Sequence, residues 1–225
     1  MKPDRPTAVF LGLVAFSLLG MLLTRLSKLD PGPIAPITSL LTLGAGLYAV
    51  FRPYREVAPH PLRRAGIALA IGASAELIGL ATGFPFGKYA YTTVWWPTLP
   101  IPNLGPFPLA LPFAWLLMAS SATLAAPRGL TPQTGWRPAL LGGLLAATID
   151  LGMEPVMAGR LHYWRWLEPG PLPGGAPVAN FLGWWAVGTM AGAVLISSIP
   201  PVRSTAPRWV LGGFAVLVAG LGFLA

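Results

Sequence analysis

PALLGGLLAATIDLGMEPV, residues 138–156, holds the clearest indication of how this chain folds. Its first twelve residues carry no charge, and an apolar run of this kind predicts a helix in an apolar environment. Asp150 and Glu154 follow four residues apart, so on a helix they share one face. Acids on an apolar helix are costly and usually have a role, which indicates an acid/base site inside a membrane protein.

The composition of the whole chain also favours a membrane environment. Of its 225 residues, 54% are hydrophobic and 10% are charged, and the mean hydropathy is +0.65. Soluble domains typically carry about 25% charged residues. The sequence therefore predicts an all-α, polytopic integral membrane helix bundle, with residues 1–225 forming a single transmembrane domain.

The charged and metal-binding residue types exclude several classes of function. The net charge of +8 does not predict nucleic-acid binding, because the basic residues fall singly or in pairs between apolar runs. The absence of cysteine from the sequence excludes disulfides, thiolate nucleophiles and cysteine-ligated metals. His60 and His162 lie far apart in the sequence, so we expect no metal site.

Seven apolar stretches are predicted as transmembrane helices. They cover residues 7–23, 33–51, 65–83, 106–126, 138–157, 178–199 and 209–225. The first stretch lacks a cleavage-like ending and runs into Arg25 and Lys28, which indicates an uncleaved helix rather than a signal peptide.

The distribution of Lys and Arg predicts the orientation of the chain. The connections on the side of the N-terminus hold ten of these residues, and those on the other side hold five. By the positive-inside rule, the N-terminus is cytoplasmic and the C-terminus lies outside. We therefore expect a multi-pass protein of a prokaryotic cytoplasmic membrane.

The two longest connections, residues 84–105 and 158–177, both fall on the outer side. Both are rich in Pro, Gly, Trp and Tyr. Proline-dense stretches do not continue a helix, and Trp and Tyr prefer the headgroup level of a membrane. We interpret these stretches as interfacial loops with an aromatic belt, which also fit a lid or lining for a long apolar ligand.

Three of the seven acidic residues, Glu76, Asp150 and Glu154, lie inside predicted spans. Glu76 is eleven residues past Ala65, and Asp150 is twelve past the start of its own span. At the helical rise, both are roughly 17–18 Å from the cytoplasmic ends of their spans. Asn180 enters the sixth span from the outer side, so we expect all four residues in the outer half of the membrane.

Small residues align with these polar side chains and predict that the helices approach closely. The stripes are Gly72, Glu76, Gly79 and Gly83 on the third span, Gly143, Ala146, Ala147, Asp150 and Glu154 on the fifth, and Asn180, Gly183, Trp184, Gly188 and Ala191 on the sixth. The pair Gly188 and Gly192 fits packing either within one chain or between chains, so a homo-oligomer is possible. Pro155 is expected to kink or end the fifth helix, and a broken helix is tolerated where it lines a polar cavity.

Four co-linear motifs between residues 76 and 185 resemble those of the polytopic carotenoid 1,2-hydratase family, also described as carotenoid biosynthesis proteins. They are ELIGLATGFPFGKYAY (76–91), IDLGMEPV (149–156), YWRW (163–166) and GGAPVANFLGWW (174–185). The resemblance implies addition of water to the terminal C1=C2 double bond of an acyclic carotenoid end group, giving a tertiary 1-hydroxyl. It implies an acyclic carotenoid and water as substrates, within the lipid bilayer and without a cofactor.

This chemistry assigns roles to the polar residues. Asp150 is expected to donate a proton, and Glu154 and Glu76 to act as base and cation stabilisers; the exchange of roles between Asp150 and Glu154 stays open from the sequence. Asn180 and Tyr89 are expected to position water, while Trp115 and Trp184 either contact the polyene or simply pack. Four further motif residues either shape the outer mouth of the site or anchor the protein at the interface, and anchoring is the favoured interpretation; they are Lys88, Tyr91, Trp164 and Arg165.

Two other functions remain open from the sequence. A membrane carotenoid cyclase would form the same cation and trap it with a second double bond instead of water. A non-enzymatic carotenoid-binding or transport protein would also use acids inside the membrane, although we find no convincing internal repeat. A retinal protein is excluded because the seventh span contains no lysine for a Schiff base.

Overall fold

The computed structural model describes residues 2–27, 34–126, 136–200 and 202–224. Several predictions fall outside these ranges. They concern Lys28 and Arg128 in the charge count, the acid Asp30, and the span ends at Pro33 and Ala225.

Within the described ranges the chain forms seven α-helices and four short strands. The helices are α1 (Arg5–Ser27), α2 (Ile34–Arg55), α3 (Pro61–Thr82), α4 (Leu111–Ala125), α5 (Trp136–Met157), α6 (Val178–Ile196) and α7 (Ala206–Leu224). The strands are β1 (Tyr89–Tyr91), β2 (Thr98–Ile101), β3 (Gly105–Pro108) and β4 (Trp164–Trp166), and one 3-10 turn covers Pro173–Gly175.

The helices form the polytopic bundle that the sequence predicts. In the described part of the chain, α1, α3, α5, α6 and α7 are each long and apolar enough to cross a membrane. Helix α4 has 15 residues, because Gly105–Pro108 pairs as a strand and the helix begins at Leu111 instead of Pro106. Large apolar side chains such as Phe16, Leu19 and Phe223 are exposed on the outside of the bundle, as expected of a protein in lipid.

Glycines allow α4, α5 and α6 to pack closely, as the small-residue stripes predict. A Cβ atom at Gly188 would lie 3.2 Å from the Cα atom of Gly143, so α5 and α6 touch through their backbones. Thr123 of α4 fits against Gly142 and Gly192, where added Cβ atoms would approach its hydroxyl oxygen to less than 2.5 Å. Gly188 and Gly192 therefore pack within the chain.

The two aromatic connections contain small antiparallel sheets, which the all-helical prediction did not include. Strand β1 pairs with β4, with Tyr89 opposite Trp166 and Tyr91 opposite Trp164. Strands β2 and β3 pair with each other inside the first connection. Tyr89, Tyr91 and Trp164 are buried, so the paired strands β1 and β4 fold inward against the helices.

Helix α5 ends where the fifth predicted span ends. The helix continues two residues past Pro155 and ends at Met157. Proline has no N–H to donate to the carbonyl of Leu151, and only two residues of the helix follow it. The following residues turn back, with the amides of Ala158 and Gly159 donating to the carbonyl of Glu154.

Candidate active site

The predicted polar residues meet at one end of the bundle. Glu76 lies near the end of α3, Asp150 and Glu154 near the end of α5, and Asn180 in the first turn of α6. Their exposed fractions are 4% for Glu76, 1% for Asp150, 1% for Glu154 and 4% for Asn180. Buried acids at such a density require hydrogen-bond partners.

Asn180 joins the two acids of α5. Its Nδ2 atom donates to Oδ2 of Asp150 at 2.7 Å and to Oε1 of Glu154 at 2.9 Å. The four-residue spacing of the acids places both within reach of one amide group on the neighbouring helix. Electrostatic interactions also link Glu76 to Asp150 and to Glu154, so the three acids form one cluster.

Three neutral donors surround the carboxylate of Glu76. The hydroxyls of Tyr89 and Tyr91 donate to Oε2 at 2.6 Å and 2.8 Å, and the indole of Trp115 donates to Oε1 at 2.8 Å. Burial, followed by the neighbouring charge of Glu76, raises the pKa of both tyrosines above their ordinary value. Both hydroxyls therefore remain protonated donors at physiological pH.

Two indoles of strand β4 donate hydrogen bonds to the carboxylate of Glu154. Trp164 and Trp166 donate to Oε2 at 3.2 Å and 2.9 Å. Successive residues of a strand point to opposite faces, so the two members of each pair, which are two residues apart, point to the same face of the ribbon and toward the acids. The β1–β4 ribbon, residues 89–91 and 164–166, thus supplies four of the six donors to the two glutamates.

Two glycines permit the loops to approach the acids. Helix α3 ends at Gly83, whose φ of 83° redirects the chain toward β1 while its amide donates to the carbonyl of Gly79. Gly79 itself leaves room for Tyr89, because a Cβ atom there would lie 2.6 Å from the tyrosine hydroxyl. The small-residue stripe on α3 therefore makes space for Tyr89, a hydrogen-bond donor to Glu76, as well as for a neighbouring helix.

An aromatic stack lies beside the acids. The rings of Trp115 and Trp184 stack with centroids 3.9 Å apart and planes 21° apart, and Phe86 packs on Trp115 at 5.9 Å. Trp115 is buried against Gly72, whereas Trp184 is partly exposed. The stack offers an apolar, polarisable wall next to a charged cluster, which suits a ligand that is both unsaturated and transiently cationic.

One oxygen of the cluster has no hydrogen-bond partner among the described residues. It is Oδ1 of Asp150, which is buried together with the rest of that side chain. A buried oxygen of this kind can carry a proton and present it to a bound molecule.

The structure changes the interpretation of three aromatic residues. Tyr91 and Trp164 were expected to anchor the protein at the interface, but both are buried and donate to the acids. Trp166 was not singled out from its motif, although it donates to Glu154. The alternation in YAY and WRW, two aromatic residues flanking one other residue, was the available signal, since it is typical of a strand. Lys88 and Arg165 are exposed, and Lys88 forms an ion pair with Glu168 at 2.7 Å.

Within the described residues, no group of three or more His, Cys, Asp or Glu side chains is arranged to hold a metal ion. The three acids accept hydrogen bonds from protein donors, as described above. The site therefore consists of carboxyl, amide, phenol and indole groups.

Comparison with known proteins places the chain in a family. Residues 37–221 match the family described as carotenoid biosynthesis protein. The chain is also 30% identical over 135 residues to the bisanhydrobacterioruberin hydratase of Haloarcula japonica, a match that covers 57% of this chain and 44% of that protein. The match thus spans less than half the length of the relative. No solved structure matches the chain. Because the family match covers most of the chain, including all three acids, the protein belongs to the carotenoid biosynthesis protein family.

Proposed function

We propose that this protein is a hydratase that adds water to the terminal C1=C2 double bond of an acyclic carotenoid end group. The observation that carries the proposal is the buried cluster of three carboxyl groups, in which one oxygen of Asp150 has no partner among the described residues. The similarity to a protein named as a hydratase supports the addition of water. Membership of the carotenoid biosynthesis protein family supports a carotenoid as the substrate.

The proposed reaction needs only proton transfer and water. Asp150 donates a proton to C2, and the electron pair of the double bond forms the new C–H bond. The tertiary cation left at C1 is attacked by water, and the oxygen loses one proton to a carboxylate of the cluster. The product carries a hydroxyl at C1 and one more hydrogen at C2, so atoms and charge balance without a redox cofactor.

The surroundings of Asp150 fit the other requirements of this reaction. Glu76 and Glu154 place negative charge near the developing cation, which is the main electrostatic need of the step. Asn180 donates a hydrogen bond to Glu154, and Tyr89 donates one to Glu76. In the proposed reaction the same two side chains orient the attacking water molecule. The Trp115–Trp184 stack provides a wall for the end of the polyene.

The proposed setting is the cytoplasmic membrane of a prokaryote. In the orientation predicted from the Lys and Arg distribution, the end of the bundle that carries the acids lies in the outer half of the membrane. A carotenoid dissolved in lipid would then reach the site from within the bilayer.

The deciding experiment is expression in cells that make lycopene, followed by mass analysis of the extracted pigments. A mass gain of one water per reacted end supports the proposal. An isomer of unchanged mass would instead indicate a cyclase, and unchanged pigment across several acyclic substrates would rule out the hydratase.

Two variants and a control connect the activity to the site. Asp150→Asn and Glu154→Gln are expected to lower product formation while the purified protein still binds pigment. Glu56→Gln makes the same carboxyl-to-amide change at an exposed position and is expected to leave product formation intact. Loss of pigment binding in the site variants, with no product in any form of the protein, would favour a carotenoid-binding protein.

A further inference from the structure

The six carboxylate oxygens of the cluster are not equivalent. Five of them accept hydrogen bonds from protein groups: both oxygens of Glu76, both of Glu154, and Oδ2 of Asp150. The sixth, Oδ1 of Asp150, is buried and accepts none from the part of the chain that the structure describes. The cluster therefore has one oxygen that is open to a small bound molecule.

The donors explain why the two glutamates are poor partners for a moving proton. Each glutamate accepts three hydrogen bonds, and every donor is a phenol, indole or amide group on an element other than the helix of that glutamate. A carboxylate has about four acceptor sites, so each glutamate has only one left, on an oxygen that already accepts a hydrogen bond. A proton there would remove the charge that strengthens all three of these buried bonds. Asp150 accepts a single bond from Asn180, so its other oxygen can gain or lose a proton without breaking a bond to the protein.

We infer that Asp150 performs both proton transfers of the reaction, giving a proton to C2 and taking one from the attacking water. This inference rests on the proposed hydratase function and specifies which acid does the chemistry. After the first transfer Asp150 is a carboxylate, water attacks the cation at C1, and the released proton restores the neutral acid. Glu76 and Glu154 keep their charge throughout and stabilise the cation without accepting a proton.

The inference has a consequence for the geometry of addition. A single carboxyl group lies on one side of the double bond, so the proton and the hydroxyl are delivered to the same face. A separate acid and base would normally lie on opposite sides of the plane and give addition to opposite faces.

The first test uses purified protein in lipid nanodiscs, with lycopene as substrate in D₂O buffer. Two quantities are measured by mass spectrometry: formation of the hydroxylated product, and exchange of hydrogen for deuterium in recovered, unhydrated lycopene. The same acid would take back the deuteron that it gave to C2, so exchange is read at the methyl groups on C1, where a hydrogen lost from the cation is replaced by deuterium. Exchange there reports formation of the cation, while product formation also requires activation of water.

The expected result separates Asp150 from the glutamates. Asp150→Asn is expected to lose both activities by about 10²–10⁴-fold. Glu154→Gln and Glu76→Gln are expected to slow both activities together, with the ratio of hydration to exchange kept within about threefold of the unmodified protein. Glu56→Gln serves as the matched control. Exchange that persists in Glu154→Gln or Glu76→Gln while hydration is lost would identify that glutamate as a separate base and overturn the inference.

A second test needs no variant and stays informative if the variants fold poorly. Lycopene with ¹³C in one methyl group of each end is hydrated in D₂O by the unmodified protein, and the relative configuration at C1 and C2 is read by NMR after conversion to a cyclic ether. Addition to the same face supports the inference, whereas addition to opposite faces or an equal mixture overturns it. If correctly folded protein forms no hydroxylated product at all, the hydratase function itself is rejected, and this outcome is distinct from a failure of the inference about Asp150.

Discussion

Tyr91 and Trp164 lie opposite each other in the β1–β4 ribbon, and each donates a hydrogen bond to a different buried glutamate. Tyr91 reaches Glu76 of α3, and Trp164 reaches Glu154 of α5. One pair of strands therefore connects two acids that belong to separate helices. The distance between the two carboxylates depends on the register of a ribbon six residues in size, so we expect the site to be sensitive to changes in this loop structure.

Removal of one phenol hydroxyl should weaken the site without disturbing the packing. Tyr91→Phe keeps the ring, which contacts Tyr89, Trp95 and Trp164, but loses a donor to Glu76. Hydrogen bonds to charged groups contribute about 1.5–3 kcal/mol. If Glu76 stabilises the transition state, kcat should fall about 10- to 100-fold, with a much smaller change in KM.

The control for this variant is Tyr163→Phe. Tyr163 stacks on Trp95 with centroids 5.3 Å apart, and its hydroxyl makes no hydrogen bond within the described residues. Steady-state rates of the proposed hydration should therefore differ clearly between the two variants. Equal effects, or a change confined to KM, would argue against an electrostatic role for Glu76.

The space that Gly79 leaves for Tyr89 can be tested by filling it. In Gly79→Ala the new Cβ atom would lie 2.6 Å from the Tyr89 hydroxyl and 3.0 Å from Phe86, so Tyr89 must move away from Glu76. Overpacking of this kind costs about 1–3 kcal/mol, and we expect a lower thermal unfolding midpoint in nanodiscs together with a loss of activity.

Two further variants separate the contact from a general effect of alanine. Gly66→Ala changes the same helix where nothing lies within 4 Å, so the unfolding midpoint should stay the same or rise. The double variant Gly79→Ala with Tyr89→Phe removes the crowded hydroxyl and should recover part of the stability, but not the activity. A double variant as unstable as Gly79→Ala alone would mean that the hydroxyl is not the source of the strain.

The sequence predicted the helices and the four polar residues of the cluster because the signals are local. Asp150 and Glu154 share a helical face through their four-residue spacing, and Glu76 lies on a glycine stripe that must face a neighbour. The cost of an acid in lipid then leaves few places for these side chains other than a shared interior. Burial of Glu76, Asp150, Glu154 and Asn180 at one end of the bundle follows from these constraints.

The donors from the ribbon could not be predicted in the same way. Tyr91 and Trp164 reach the acids only because β1 and β4 pair, and this pairing joins segments more than seventy residues apart in sequence. Trp and Tyr near a membrane surface are typical of an aromatic belt, so composition alone favoured the interface. The start of α4 was misplaced for a related reason, since Gly105–Pro108 is apolar enough for a helix but pairs with β2.

The two buried tyrosines should make stability depend on pH in the alkaline range. Burial raises the pKa of Tyr89 and Tyr91 above their ordinary value, so the folded protein holds these protons more tightly than the unfolded chain does. The contribution of these tyrosines to the free energy of unfolding is therefore fully present below the ordinary tyrosine pKa of about 10, and it falls as the pH rises above that value. The thermal unfolding midpoint, measured between about pH 8 and 11, should decline at the upper end.

A double variant and a matched control identify the groups responsible. Tyr89→Phe with Tyr91→Phe should lower the midpoint at every pH but flatten its alkaline decline. Trp166→Phe removes a donor from the same site without removing a titrating group, so it should lower the midpoint and leave the decline unchanged. An alkaline decline of the same steepness in all three proteins would assign it to other groups.

The last prediction concerns the turn at residues 173–175, which packs on the backbone of Glu154. Gly174 has a φ of 70°, and a Cβ atom there would lie 2.6 Å from the carbonyl carbon of Glu154 and 2.8 Å from the nitrogen of Pro155. Gly175 has a similar φ of 78°, but a Cβ atom there would meet only Pro169 at 3.7 Å. Alanine at either position pays the left-handed backbone cost of about 1–2 kcal/mol, and only Gly174→Ala also displaces the turn from Glu154. We therefore expect both variants to lower the thermal unfolding midpoint, while Gly174→Ala alone strongly reduces the rate of the proposed hydration. Equal rates in the two variants would show that the position of this turn does not matter to Glu154.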